Sequence, residues 1–253
     1  MKYSAGLHWY RDRRSVRMRN YFIFDNKDSR TYGVYISGSG VYNAPERSYE
    51  AIQVPGRNGD ILIGGKKYEN IDLVYPAFIY ANFKSQLANL RSALLSVNGY
   101  ARLTDSYHPN EFRLAYFAGG IDVNARSQND AGEFDLLFRC KPQRFLTSGE
   151  AQTTISGSSG SITNPTLFHS KPVIRVNGYG TLTINGDQIT IASGQSYVDI
   201  NSEIQDCYYG TVNANSKVTF QSNEFPTLRP GVNNISRSGN ITSVVITPNW
   251  YIL

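Results

Sequence analysis

Cysteine, methionine, tryptophan and histidine are nearly absent from this sequence, at two, two, two and three of 253 residues. The two cysteines, Cys140 and Cys207, are too few for the disulfide framework of a small secreted domain. They read as reduced, partly buried thiols of a chain that folds in a reducing cytoplasm. The histidines, His8, His108 and His169, stand too far apart to make a sequence-local metal or catalytic cluster, and neither His-Glu-x-x-His nor Cys-x-x-Cys occurs. No metal and no cofactor is therefore expected. No apolar run approaches the ~18 residues of a membrane span. Residues 1–20 are charged where the apolar centre of a secretory signal would sit, so no signal is expected there.

What is abundant points to β-structure. The chain is 40% hydrophobic and 13% aromatic, with 22 glycines and 18 tyrosines, a composition that excludes disorder. Its length suits one large domain or two small ones. The net charge of +5 is confined to one end. Residues 1–20 carry Lys2, Arg11, Arg13, Arg14, Arg17 and Arg19 against Asp12 alone, and the other 233 residues hold nineteen side chains of each sign. A neutral body argues against a folded DNA-binding domain. Arg11, Arg13, Arg14 and Arg17 are candidate contacts of a basic arm, to phosphate or to another subunit, beside the plainer reading of a solvated arm.

Composition also changes near residue 150. Residues 1–150 hold 35 of the 45 charges, and residues 151–253 only ten. The change coincides with a Gly/Ser/Thr stretch over residues 153–164, which reads as a linker or flexible hairpin. Four segments follow: a basic arm (1–20), a first domain (21–150), the linker (151–165) and a second domain (166–253).

In the first domain, residues 21–24, 32–36, 61–63, 69–75, 113–117 and 133–140 have the aromatic and β-branched character of strands. Phe83, Leu87, Leu90 and Leu94 recur at spacings of 4, 3 and 4, which predicts one amphipathic helix over residues 81–97 with Gly99 as its C-terminal cap. A lone helix of this kind packs on a sheet. Val54-Pro-Gly-Arg-Asn-Gly-Asp60 is a dense turn that projects as a loop or hairpin tip. The second domain alternates Ile174/Val176, Leu182/Ile184 and Ile189/Ile191 around Asn177-Gly178 and Asn185-Gly186, the pattern of a meander with tight turns. Val198/Ile200, Val218/Phe220 and Val244/Ile246 extend it into a β-sandwich or jelly roll.

No enzyme signature survives inspection. Gly38-Ser-Gly40 and Gly178-Tyr-Gly180 open no helix and read as turns, and Gly157-Ser-Ser-Gly-Ser161 is followed by no helix. Asp130/Glu133/Asp135 and Asp199/Glu203 are the carboxylate pairs any chain of this length contains, and read as solvated edges or turns. Tyr208-Tyr209 and Trp250-Tyr251 read as sandwich core and rim rather than sugar platforms. Asn234-Ile-Ser236 and Asn240-Ile-Thr242 read as chance glycosylation matches. A structural or binding role is expected, and no catalysis.

Several of these segments, in order, resemble the distal tail proteins (Dit) of siphophages. They are Tyr21-Phe-Ile-Phe-Asp-Asn26, Tyr32-Gly-Val-Tyr-Ile36, Val54-Pro-Gly-Arg-Asn-Gly-Asp-Ile61, the helix stop Leu94 to Gly99, Val198-Asp-Ile-Asn-Ser-Glu203, and Phe225-Pro-Thr-Leu-Arg-Pro-Gly-Val-Asn-Asn-Ile235, with a last strand at Val244-Val-Ile-Thr-Pro248. The resemblance runs from about Met18 to Leu253, and residues 1–17 are an addition to it. It implies a mainly β, two-domain protein: an N-terminal β-sandwich with one helix and a projecting hairpin, then a galectin-like or carbohydrate-module-like β-sandwich. It implies a homohexameric ring at the virion's tail tip, assembled in the host cytoplasm. The ring would lie between the tail tube protein and the tail-tip protein, with receptor-binding or other baseplate proteins held outside. Genomic DNA would pass through the lumen without specific binding. Pro55, Gly56, Arg57, Asn58, Gly59 and Asp60 are the candidate interface residues, a rigid tip that presents Arg57 to a neighbour's carboxylate; a solvated hairpin is the competing reading. The alternative function is a carbohydrate-binding protein using the second sandwich. It is weakened because residues 170–253 contain no histidine and Trp250 alone of its kind.

Overall fold

The computed structural model describes residues 19–38, 42–121, 123–126 and 130–253. The chain opens with β1 (Phe22–Phe24) and β2 (Lys27–Asp28), joined by a two-residue turn in which Asp25 and Asn26 both take positive φ, 49° and 60°. That is the turn chemistry Asp and Asn tolerate and a tight hairpin needs. The strand expected at 32–36 starts two residues late. Asp28 accepts from the Arg30 amide and Gly33 takes φ 64°, so Ser29–Tyr32 closes into a 3-10 turn before β3 (Val34–Ile36). Then come β4 (Arg47–Ile52), β5 (Ile61–Tyr68), β6 (Ile71–Ile79), helix α1 (Phe83–Leu95), β7 (Ala101–Asp105), β8 (Glu111–Phe117), β9 (Val123–Arg126) and β10 (Ala131–Leu146).

The first sheet runs β2-β1-β7-β8-β10-β6-β3, with β9 also pairing β10. β10 spans sixteen residues because it serves two sets of partners: its register on β8 shifts between Cys140 and Arg144, where Pro142 cannot donate to a ladder. Helix α1 is shorter than expected at both ends but buries the expected stripe of Phe83, Leu87, Leu90 and Leu94. Gly99 is not its cap. The helix ends at Leu95, Ser96 donates back to the Leu94 and Ser92 carbonyls, and Gly99 (φ 77°) turns the chain into β7. At the other end Asp130 holds the helix start: its carboxylate accepts from the Asn82 amide and its carbonyl from the Phe83 amide. The core beneath is aromatic. Phe138 meets Phe22, Phe24, Tyr75 and Phe117 edge-on at 5.1–6.0 Å, and the buried Tyr75 hydroxyl donates to Asp105 at 2.7 Å.

The second half continues with β11 (Thr153–Ile155), β12 (Ser159–Asn164), β13 (Val173–Asn177), β14 (Gly180–Ile184), β15 (Asp187–Ile191), β16 (Tyr197–Asn201), β17 (Asp206–Tyr209), β18 (Val212–Asn213), β19 (Val218–Phe220), β20 (Gly231–Gly239), β21 (Ser243–Thr247) and β22 (Tyr251–Ile252). Two sheets, β11-β21-β13-β16-β17-β18 and β12-β20-β14-β15-β19, enclose a second core that includes Ile174, Leu182, Ile200, Ile246 and Trp250. The chain is thus mainly β with a single α-helix among the described residues, and β-sandwich in type.

Three expectations need correction here. Residues 153–164 are neither linker nor hairpin: β11 and β12 join different sheets, and Ile155, Ile162 and Asn164 are buried. The meander is real only at Asn185-Gly186, whose φ values of 52° and 98° close β14 onto β15. Asn177-Gly178 instead carries the chain from one sheet to the other. A Cβ at Gly178 would lie 2.2 Å from the Asn240 carbonyl oxygen, so only glycine fits that crossing. Finally, residues 166–253 do not all stay in the second sandwich, because β22 returns to pair with Arg144 and Phe145 of β10. Tyr251 there stacks on Phe168 and tilts against Phe145.

The two cysteines are more buried than expected. Cys140 lies in the first core and Cys207 in the second, both free thiols with no exposed surface. Burial pushes each thiol from an ordinary 9 up to about 12. A neutral group whose folded pKa is raised contributes stability that is complete below pH 9 and is lost as pH rises toward 12. Tyr75, raised well above 10 by burial, adds to the same loss. Thermal melts are therefore expected to fall steeply between pH 9 and 12, and native protein at pH 8 to resist a thiol reagent. Rapid labelling of both thiols at pH 8 would contradict this burial.

Candidate assembly surface

The candidate interface residues sit at the end of a bare two-stranded ribbon. β4 and β5 pair with each other only, Ile52 against Ile61, Ala51 against Leu62, Glu50 against Ile63 and Tyr49 against Gly64. The register shifts between Arg47 and Tyr49, opposite Gly64 and Gly65, both at positive φ. Directly opposed residues share a face. One face therefore carries Tyr49, Ala51 and Leu62, and the other Ile52, Ile61 and Ile63 with Glu50. Both faces are apolar, and both are uncovered: Leu62 is 60% exposed, Ile63 50%, Tyr49 48% and Ile52 39%. None of these residues belongs to either core. A two-stranded ribbon alone is marginal in water, and large apolar side chains left in solvent on both of its faces mark a contact surface.

The tip is built from two glycine turns. Arg57 donates its amide to the Val54 carbonyl at 3.1 Å across Pro55 and Gly56, and Gly56 takes φ 81°, as the third position of a type II turn requires. Of Asn58 and Gly59, expected to reverse the chain together, only Gly59 takes positive φ (81°). All six residues 55–60 are exposed, and a Cβ at either glycine would meet nothing within 4 Å. Among the described residues the Arg57 guanidinium has no carboxylate partner, so the tip offers an uncompensated cation. Arg11, Arg13, Arg14 and Arg17 lie outside the described residues. Their neighbour Arg19 places its guanidinium over the rings of Tyr35 and Tyr80, 5.0 and 4.8 Å from the centroids.

A second unfinished surface lies on the outer face of the first sheet. There Val74, Pro76 and Phe78 of β6 and Leu137 of β10 floor a groove of about 730 Å³, with Ser37, Gly119, Glu133 and Asp135 among its other walls. The remaining sequence candidates are accounted for by local structure. Asp199 receives a two-pronged bond from Arg175 at 2.7 Å, and Glu203 pairs with Lys171 at 3.2 Å. Trp250 is buried, and Tyr209 tilts against Tyr197. No group of three or more metal-ligating side chains occurs among the described residues. Sequence reasoning missed one feature: His169, just upstream of the window counted for histidine, lines a cleft of about 270 Å³ with Asn185, Asp187, Glu224, Phe225 and Arg229. The ladder of β14 on β15 and the loops flanking Leu228 gather residues up to sixty positions apart, which no local motif reveals.

Residues 22–140, the span that contains the ribbon, the groove and the helix, match the family described as phage tail protein RIFT-related domain. No curated protein matches the chain closely enough to be a relative. Among solved structures, the fold is similar to SPP1 Dit, described as a paradigm of the hub adsorption apparatus in phages infecting Gram-positive bacteria. That likeness has a TM-score of 0.70 at 12% identity and covers 92% of this chain and 99% of that one. It is also similar to a chain of the phage P2 baseplate in its activated conformation with Ca, at a TM-score of 0.53 and 11% identity, covering 90% of this chain and 97% of that one. The same baseplate with Sr gives 0.52 at 12% identity, with the same coverage. Residues 22–140 thus resemble a phage tail protein domain, and the likeness to these structures shows the fold, mainly β and of β-sandwich type.

Proposed function

We propose that the chain is the structural hub of a siphophage tail tip, a homohexameric ring that joins the tail tube protein to the tail-tip protein. The ring is made by residues 21–150, and the second sandwich stands outside it to hold receptor-binding or other baseplate proteins. Subunits assemble in the host cytoplasm and are carried in the virion. The role is mechanical, without catalysis and without a cofactor.

The observation that carries this reading is the β4–β5 ribbon, apolar on both faces and left exposed on both by the described residues. A subunit built to act alone would leave no such element bare, whereas a subunit that meets identical neighbours head to tail can cover it in each copy. The balanced charge of residues 21–253 supports a DNA conduit, because a basic lumen would hold each passing phosphate. Sedimentation of the full chain is expected to give about six times its mass of 28.3 kDa, with ring-shaped particles in negative stain. A chain that stays monomeric at all accessible concentrations overturns the hub reading.

A further inference from the structure

The two sheets of the second sandwich end in β11, β18, β12 and β19. Three of these edges are blunt: β11 and β19 have three residues each and β18 two. Strand β12 has six, Ser159-Gly-Ser-Ile-Thr-Asn164, and its register on β20 runs without a bulge. It carries none of the proline, charge or irregularity that usually protects an edge. Hydrogen-bond phase shows what the edge offers. The Arg237 amide donates to the Ser158 carbonyl at 2.9 Å, so the ladder's bonds to β20 come from Gly160 and Ile162, opposite Ile235 and Asn233. Ser159, Ser161 and Thr163 therefore turn their N–H and C=O groups away from the sheet. All three residues are exposed, and among the described residues no hydrogen bond reaches those groups. The strand is also held at both ends. The Arg237 guanidinium binds the Ser156, Gly157 and Ile241 carbonyls, and the buried Asn164 donates to the Phe168 and Leu228 carbonyls at 2.8 and 3.0 Å. Beside it, the outer face of the sheet forms a groove of about 450 Å³ lined by Ser159, Ser161, Thr183, Asn234 and Ser236. No charged side chain lines that groove, so covering it desolvates no ion.

We propose that an extended segment of another tail protein adds as a strand to the free edge of β12, exchanging backbone hydrogen bonds with Ser159, Ser161 and Thr163. This rests on the reading of the second sandwich as the holder of other baseplate proteins, and names where and how one is held. Donor and acceptor pairs repeated at every second residue are matched by another extended backbone, and by no saccharide or phosphate. Because β12 is fixed before binding, little of the binding energy is lost to ordering it. The groove takes the side chains of the added segment that share its face, which meet only short, uncharged neighbours. Pairing β12 with the β12 of a second copy would be isologous, whereas ring subunits meet head to tail, so the added strand comes from a different chain.

The test reads amide hydrogen exchange residue by residue, in the purified full chain and in tail tips released from virions. In the purified chain the Ser159, Ser161 and Thr163 amides are expected to exchange fast and those of Gly160 and Ile162 slowly. In tail tips the three outward amides are expected to slow by about a hundredfold, as paired strands do. Two variants block the edge: Ser161→Pro removes an outward amide and keeps the β20 ladder, and Ser161→Lys adds a protecting charge. Thr190→Lys puts the same charge at an exposed position of β15 on the same sheet face, away from the edge. Virions carrying either Ser161 variant are expected to lose a tail protein that wild type and Thr190→Lys retain. Outward amides that exchange as fast in tips as in the purified chain overturn strand addition. Protection already present in the purified chain gives the edge to a second copy and overturns the foreign strand. Loss of the same protein in Thr190→Lys assigns attachment to the face instead of the edge. A chain absent from virions overturns the tail-tip reading itself.

Discussion

Replacing Phe138 by alanine is expected to cost about 3–5 kcal/mol, the largest loss for a single core residue in the first half of the chain. Phe138 has no exposed surface and contacts four aromatic rings contributed by β1, β6 and β8. Those strands are held in one sheet, so the space left by the ring cannot close by moving a single flexible segment, and a cavity remains. For a chain of this size the melting temperature should fall by roughly 6–20 °C, at about 2–4 °C per kcal/mol. Tyr75→Phe is the contrast. It keeps the ring stacked on Phe22 and removes only the hydroxyl bond to Asp105, whose other oxygen still accepts from the Tyr107 and His108 amides. Its cost should stay near the ~1 kcal/mol of one hydrogen bond. Calorimetry on both variants separates them, and a Phe138→Ala protein that melts within a degree or two of wild type would show that the aromatic cluster is not what holds the sheet.

Much of this arrangement is legible in the sequence, and the exceptions share a cause. The helix reads correctly because a 3.6-residue period leaves one unambiguous stripe, and Asn185-Gly186 reads correctly because its two strands are neighbours in sequence and in space. The same dipeptide at 177–178 makes a different structure, since what decides it is the Asn240 carbonyl some sixty residues away. Residues 153–164 look like a linker because Gly, Ser and Thr dominate them. Their strand identity rests on three buried residues, Ile155, Ile162 and Asn164, of which only the last two stand at strand spacing and one of those is polar. Asn164 in particular is fixed by tertiary partners, donating to the Phe168 and Leu228 carbonyls. For the candidate surface, the turn at 55–60 is legible from its glycines and proline, but the groove is not. Its walls come from residues 37 to 137, and periodicity cannot distinguish an apolar strand covered by its own chain from one awaiting another.

That distinction decides what the ribbon variants should do. Leu62→Asp together with Ile63→Asp places one charge on each face of the ribbon. In the isolated subunit both side chains are at least half exposed, so the melting temperature of the monomer should move by no more than a few degrees. In an assembly that buries them, each loses about 1.5–3 kcal/mol of apolar burial, and each introduced carboxylate must be desolvated as well. A ring repeats that loss at every interface, so particles of about six times 28.3 kDa should give way almost entirely to single subunits. Incorporation into tails should fail with it. The pairing of these two readouts is what makes the result informative. Loss of the ring with an unchanged monomer melt identifies the ribbon as an element folded in advance for another subunit. A monomer that unfolds would instead mean that the ribbon supports its own chain, and rings that persist at wild-type concentration would remove it from the assembly altogether.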